Sequence, residues 1–589
     1  MLILDTECFS DYWLVSMLKL ETGKIRHFEL HDSSKLDTKL ISGFLNAETI
    51  VSFNGNNYDI PLLSAAMAGY NNAQLKALSD SIIGSKLPSW SILKNHKFVL
   101  LKLDHIDLFD VAIGQSSLKI YGGRLHAPKM QDLPIEPSAS IAASDRPMLR
   151  EYCENDLHTT SLLFNELRPQ IDLRAKMSKQ YGIDLRSKSD AQIAEKIILD
   201  GVSRVTSEQY GKTVYADNVD FKYSDPQIVT FKRGTLNEIF AKILEHRFTL
   251  GGNGAVCMPE WLRNTKIRIG DTEYQMGIGG LHSCETSKYF CSDKDYALFD
   301  LDVSSYYPSI ILQQRLAPKS MGAPFLTVYQ GIVTRRLAAK KSGDTVTADV
   351  LKIAVNGSFG KLGSKYSALF APELLIQTTI TGQLCLLMLI ERLEDAGARV
   401  VSANTDGVVI YCRHGLEHKC KEVAFDWELD TSFTLERTDY KSIGIRDVNN
   451  YVAVKQDGKT KGKGVFAPAS LAKNPDRQIV ATAVAQLLAK GTPIEQTIND
   501  CKDITQFVTI RRVQGGAVWR DSILGKAVRF YHSNAVHADQ YIHYSTNSNR
   551  VPNSAGTRPL MQLPAEFPAD VHHAYYIAEA KKLLGEIGC

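Results

Sequence analysis

Residues Phe299 to Ile311 read FDLDVSSYYPSII. Tyr296, Ala297, Leu298 and Phe299 form an apolar lead-in, which predicts a strand entering a core, and Pro308 falls where a turn or helix begins. Asp300 and Asp302 are two apart, so on a strand they face the same way. Two carboxylates near the exit of a buried strand cost free energy unless a cation or hydrogen bonds compensate them, and a divalent metal does so. For such a pair taken alone, an acidic strand end capping the next helix is the plainer alternative.

The residues that follow narrow the choice. From Asp302 to Ile311 the chain reads D-x-x-S-x-Y-P-S-I-I, which resembles motif A of the family B DNA polymerases. The resemblance implies that Asp302 and Val303 sit at the catalytic metals. It also implies that Tyr307 closes against the sugar of the incoming nucleotide, with Ser305 and Tyr306 beside it.

Working outward on the C-terminal side, Tyr329 to Ser342 has a helical pattern, Ser342-Gly343-Asp344 is a turn, and TADVLKIAVNGSFG begins a second helix. The pair predicts an antiparallel helical hairpin. Between Gly331 and Lys365 seven basic residues face two acidic ones, a local charge of +5 suited to phosphates. Lys352, Asn356, Phe359 and Gly360 fit K-x-x-x-N-x-x-F/Y-G, which resembles motif B of the same family, with Gly357 in place of the usual Ser, a change expected to be tolerated. Lys352 and Asn356 share a helical face. A triphosphate needs rigidly held cations, and Lys352, Lys340 and Arg336 are the candidates, with Arg335 and Lys341 as neighbouring alternatives.

Residues 398–411, ARVVSANTDGVVIY, place Asn404-Thr405-Asp406-Gly407 between two apolar runs, and Asp-Gly in that setting predicts a β-hairpin. The stretch resembles motif C, usually D-T-D-S. Its first Asp is Asn404 here, and Asp406 takes the position of the principal metal ligand. Arg437 to Lys463 carries seven basic and three acidic residues. Tyr451 falls where the family has K-x-Y, the primer-terminus motif, whose Lys is Asn449 here; Lys461 and Lys463 are the candidate substitutes. A solvated basic hairpin is the rival reading of that segment.

On the N-terminal side, Leu2 to Leu4 runs into Asp5-Thr6-Glu7, and on a strand Asp5 and Glu7 project to one face, as needed to grip metal ions. Val51 to Leu63 carries Asn54 and Tyr58-Asp59, and a helix predicted over 147–167 places Tyr152 and Asp156 on one face. In this order they resemble Exo I, Exo II and Exo III of the DnaQ-like 3′–5′ proofreading exonucleases. That resemblance implies a ribonuclease-H-like sheet, two metals held by Asp5, Glu7, Asp59 and Asp156, and Tyr152 orienting the attacking water. Ser117-Leu118-Lys119-Ile120-Tyr121 resembles the S/T-L-x-x-h element, so Ser117, Leu118 and Asn54 are assigned to the single-stranded primer end. Asp104, Asp107 and Asp110 around His105 have the look of a metal cluster, but they are read as solvated or pairing groups. In the connector, Gly279-Gly280 resembles the end of Y-x-G-G/A, an element that meets the template strand, although the nearest Tyr is displaced to Tyr274; glycines there also suit an ordinary turn.

At 589 residues the chain is too long for one core, and 44% hydrophobic with 23% charged residues describes an ordinary globular protein. A net charge of +3 means that any nucleic-acid surface is local. Ten cysteines without a C-x-x-C pair argue against a zinc ribbon and fit reduced thiols. MLILDTE does not read as a signal peptide, and the run Leu384–Ile390 is too short to span a bilayer.

The fold expected is a multidomain α/β and α+β chain: a ribonuclease-H-like exonuclease domain at 1–185 and a connector at 186–295, then a right-hand polymerase. Its parts are palm at 296–320, fingers at 321–365, palm again at 366–467 and thumb at 468–589. The function implied is a compact, bacteriophage-type family B DNA polymerase with proofreading, using two Mg2+ per site with Mn2+ as a substitute. Its partners are primed DNA, dNTPs and a single-stranded primer end, with no membrane, a monomeric state, and phage replication accessory proteins in the cytoplasm of an infected bacterium. Asp302 to Lys352 spans 50 residues, which leaves no room for a terminal-protein-type insertion and predicts a nucleic-acid primer. The alternatives are a nuclease whose polymerase half is only a DNA-binding platform, motivated by Asn404 and Asn449, and a primase-polymerase, for which no initiation machinery is seen.

Overall fold

The computed structural model describes every residue except Lys86, residues 216–218 and Asn253. The chain is a mixed α/β protein of two compact units. One comprises Met1–Ser189, Ala469–Ile479 and Cys501–Tyr576; the other comprises Asp190–Pro468, Val480–Asp500 and Ile577–Cys589. The C-terminal segment 468–589, expected as one domain, thus contributes to both.

In the first unit, β1 (Leu2–Cys8), β2 (Trp13–Lys19), β3 (Lys24–Leu30), β4 (Ile50–Ser52) and β5 (His105–Asp107) form a sheet in the order β3-β2-β1-β4-β5. β1, β2 and β3 pair antiparallel, whereas β4 is parallel to β1 and β5 to β4. Alternation along β1 explains its two faces. Leu2 and Leu4 enter one core cluster, while Ile3 enters the other, which contains Leu157 and Leu163 of the helix Arg146–Glu166. Asp5 and Glu7 continue the Ile3 register. A second sheet of this unit contains the long hairpin Thr509–Trp519 and Ser522–His532, edged by His543–Tyr544 and Thr557–Pro559.

The second unit is built on an antiparallel sheet. Its spatial order begins Thr460–Lys463, Asn450–Lys455, Leu435–Asp447, Tyr296–Val303, Gly407–Arg413, Arg399–Asn404. It continues through Leu281–Ser283, Thr272–Met276 and Ile267–Ile269, and Thr286–Cys291 also pairs with Leu435–Asp447. The predicted hairpin around Asp406-Gly407 is present as Arg399–Asn404 and Gly407–Arg413. Phe299, Leu301 and Val303 pack with the buried helix Pro372–Asp395, while Leu298 faces the opposite cluster containing Tyr440, Ile443 and Ala453. Asp300 and Asp302 therefore emerge on the sheet face away from that helix.

Pro372–Asp395 is longer than its apolar run Leu384–Ile390 indicated. By length and composition it is the one helix among the described residues able to cross a membrane, but 83% of its most apolar window is buried inside the protein. The helical hairpin is Ala323–Ser342 and Thr345–Leu362, with Gly343 in the left-handed region (φ 77°) and Asp344 capping the second helix through Thr347 N–H. Gly357 packs against the helix Asp190–Thr206. A Cβ there would lie 2.6 Å from the Asp190 carbonyl oxygen, so the Ser usual in the motif does not fit this packing without a shift.

Candidate active sites

In the first unit, Asp5 and Glu7 on β1 lie with Cys153 of the helix Arg146–Glu166 close enough for single ligand atoms of all three to fall within 4.8 Å. Cys153 Sγ is 3.5 Å from Asp5 Oδ2. Asp59 opens the helix Asp59–Met67, is 3% exposed, and accepts a 2.7 Å hydrogen bond from Thr6 Oγ1. Tyr152 and Asp156 come from the long helix and are buried. The sequence therefore assembles one acidic pocket from three separated stretches.

Its carboxyls are buried and repel one another. Burial, then the charges of Asp59, Glu7 and Asp156, hold the Asp5 carboxyl well above the usual carboxylate range. Glu7 is raised by burial and by Asp156, against the opposing effect of Lys119. Burial pushes Asp59 up to about 7 despite the Thr6 hydrogen bond, and Asp107 adds to the rise. Acids that repel one another in a buried pocket fit a divalent ion, which would be held by Asp5, Glu7, Asp59 and Asp156.

One cation is supplied by the chain itself. Lys119 Nζ contacts both Asp156 oxygens at 2.5 Å and stands 4.1 Å over the Tyr152 ring. Asp156 is thus paired with a lysine inside the acidic cluster. Lys119 lies on the short helix Leu118–Arg124, after Ser117, which is exposed and makes no side-chain cap; Leu118 is half-buried against the core. The sequence pattern singled out Ser117 and Leu118 and passed over the Lys between them and the pocket.

Asn54 adopts φ 64° and starts the turn leading to Asp59. Asp107 holds that turn by accepting the Asn54 and Asn56 N–H groups at 2.8 and 2.9 Å. Gly55 is required there, since a Cβ would fall 2.0 Å from Ser52 Oγ. Asp104 pairs with Arg186 and Thr49. These two acids are pairing groups, the role read for them over the metal cluster that their spacing around His105 resembles.

In the second unit, Asp302 lies opposite Gly407 in the sheet. A Cβ on Gly407 would approach Asp302 Oδ1 to 2.1 Å, so only glycine lets the carboxylate lie over the hairpin. Val303 N–H donates to the Asp406 carbonyl at 2.7 Å, fixing the two acidic strand ends together. Burial and the Asp300 charge raise the Asp302 carboxyl, against Lys461; burial and Asp302 raise Asp406. This pair of crowded acids could take a divalent cation, which Asp302 and Asp406, with Val303 beside them, would hold.

Asp300 is set apart. It is 5% exposed, accepts from Tyr440 Oη at 2.8 Å, and pairs with Lys461 at 3.1 Å, while Lys461 lies 3.5 Å from Asp302. Burial opposes the Lys461 charge, but Asp300 and Asp302 together raise its pKa. Lys461 and Lys463 belong to Thr460–Lys463, paired with the strand bearing the half-buried Tyr451. Burial lowers the Lys463 pKa, whereas Asp406 raises it.

Tyr307 stacks on Phe359 with ring centroids 4.2 Å apart and donates to the Gly279 carbonyl at 2.8 Å. Tyr306 is buried and donates to the Gly382 carbonyl at 2.6 Å. Ser305, in the left-handed region at φ 51°, accepts from Arg336 at 2.9 Å, and Lys340 reaches Glu436 at 3.3 Å. Lys352 and Asn356 are exposed on the second helix of the hairpin. Gly280 has φ 150° and comes against Thr405. The displaced Tyr274 is a fully buried core residue.

No protein-family model matches the chain. Over 125 residues it is 26% identical to DNA polymerase 1 of Sulfolobus acidocaldarius, a match covering 21% of this chain and 14% of the relative's length. Among solved structures, the family B DNA polymerase of the hyperthermophilic archaeon Pyrobaculum calidifontis aligns with all of this chain and 77% of its own, at 13% identity and a TM-score of 0.42.

Proposed function

We propose that the chain is a DNA-dependent DNA polymerase of family B with a 3′–5′ proofreading exonuclease. The observation that carries this reading is the registry of Asp302 against Gly407, which brings Asp302 and Asp406 to one strand edge beside Ser305, Tyr307 and Arg336. The 125-residue similarity to a DNA polymerase supports the same reading. The sheet order β3-β2-β1-β4-β5, with its acids on β1 and the long helix, supports a ribonuclease-H-like exonuclease. The sheet bearing Asp302 and Asp406 and the basic helical hairpin support palm and fingers.

Two divalent cations at each cluster, Mg2+ with Mn2+ as a substitute, would lower the pKa of the attacking oxygen and neutralise charge on the transferring phosphate. The protein's own contribution is positioning. Asp302 and Asp406 hold fixed negative charge at the strand ends. Tyr307, braced by Phe359 and the Gly279 carbonyl, forms a wall against the nucleotide sugar. Arg336, Lys340 and Lys352 supply cations for a triphosphate, and Lys463 and Tyr451 flank the primer end. Tyr152 orients water at the Asp5–Glu7–Asp59–Asp156 cluster. Ser117, Leu118 and Asn54 border the path of a frayed strand, and Gly279 and Gly280 that of the template.

The helices Tyr306–Gln313, Ala323–Ser342 and Thr345–Leu362 occupy most of the span from Asp302 to Lys352, which supports a nucleic-acid primer rather than a protein one. The setting proposed is replication of a phage genome in an infected bacterial cytoplasm, by a monomer. A labelled primer on a longer template, with Mg2+, tests the reading. Extension with dNTPs and shortening without them is the expected result. Degradation under both conditions contradicts the polymerase half.

A further inference from the structure

From Ser81 to Leu103 the chain contains Lys86, Lys94, Lys97 and Lys102 and no acidic residue. The acids that flank it are already engaged, Asp80 with Lys76 and Asp104 with Arg186. Leu93, Phe98, Leu101 and Leu103 pack against the core of the first sheet, and Phe98 meets Tyr70 edge-on at 5.5 Å. The segment is therefore anchored, yet Leu87 and Trp90 are each left 61% exposed. Lys94 Nζ stands 4.7 Å over the Trp90 ring. An anchored indole beside a lysine, in a stretch carrying only positive charge, combines a stacking surface with phosphate attraction.

Two hydrogen bonds tie the segment to the turn that leads to Asp59. Ser89, next to Trp90, donates to Asn57 Oδ1 at 3.1 Å, and Asn57 Nδ2 donates to Asn54 Oδ1 at 2.8 Å. Asn54 begins the turn that ends at Asp59. We infer that Trp90 and Lys94 form a platform for single-stranded DNA, with a base stacked on the indole and a phosphate near the ammonium, alongside the turn that carries Asp59. The polarity of that strand, with its 3′ end toward the carboxylates, rests on the proposed exonuclease.

The test uses the full chain in EDTA and an oligothymidylate carrying one 5-iododeoxyuridine. Irradiation should cross-link the peptide containing Trp90. Trp90→Ala should weaken binding of the single strand about tenfold by fluorescence anisotropy, and Trp90→Phe should restore most of it. Both results are required. Cross-linking confined to other peptides, or an unchanged affinity of Trp90→Ala, overturns the platform. Digestion of the same oligomer by the wild-type protein in Mg2+ is read separately. Cross-linking at Trp90 without digestion leaves the platform and removes the exonuclease, whereas digestion without a Trp90 effect does the reverse.

Discussion

The side-chain amide of Asn404 donates to the Val448 carbonyl at 2.8 Å. The residue that departs from the motif C pattern thus ties the Asp406 hairpin to the turn preceding Tyr451. A carboxylate in the same place would face that carbonyl without a proton to offer. The departure from D-T-D is a structural cross-brace, and it leaves Asp406 as the acid of the hairpin.

Asn404→Asp is therefore expected to destabilise the protein by about 1 kcal/mol, the cost of a lost, partly buried hydrogen bond. It should also lower primer extension, although it restores the usual motif. Thermal melting and an extension assay on the same preparation check this; faster extension by the variant would contradict the brace.

Gly407→Ala places a methyl where Asp302 Oδ1 lies, 2.1 Å from the ideal Cβ position. Overpacking of this kind typically costs about 1–3 kcal/mol. The carboxylate has to move, so extension should fall steeply while shortening of the primer persists. Equal loss of both activities would point to general unfolding instead.

Lys119 offsets the charge of Asp156 within a cluster of acids. Lys119→Met should destabilise the metal-free protein by about 3 kcal/mol, the usual scale for breaking one side of a buried pair. Added Mg2+ should recover more melting temperature in the variant than in the wild type. An identical Mg2+ response in both proteins would remove Lys119 from the electrostatics of the pocket.

Much of this arrangement was legible in the sequence. The strand period at Asp5/Glu7 and at Asp300/Asp302, the Asp406-Gly407 turn and the Tyr152/Asp156 helix face all follow from local chemistry, and the structure has them. What was hidden depends on long-range packing. Lys119 reaches Asp156 across 37 positions of sequence, and Asn404 reaches Val448 across 44. Gly357 reads as a small residue replacing a small residue until the Asp190 carbonyl is seen against it. Tyr274 looks like a shifted motif residue, but its phenol is buried near the Val400 carbonyl. The division of residues 468–589 between two units has no local signal at all.

His532 gives a pH dependence of its own. Its ring is buried, stacks 3.6 Å from Tyr575, and has its pKa lowered from 6.5 to about 3 by burial and then by the charges of Arg477 and His572. Above pH 6.5 folded and unfolded states are both neutral here, so the group contributes no slope. Below it the unfolded chain takes up a proton that the folded chain refuses, and stability falls by about 1.4 kcal/mol per pH unit until about pH 3. His532→Phe should flatten that part of the stability–pH curve measured by urea unfolding; an unchanged slope would assign it to other groups.

The central claim, two separate acid clusters with two separate reactions, is tested most directly by crossing variants on one labelled primer–template. Asp406→Ala should abolish extension and keep shortening, and Asp5→Ala/Glu7→Ala should keep extension and abolish shortening. Extension that survives Asp406→Ala, or loss of both reactions from either folded variant, would contradict the account.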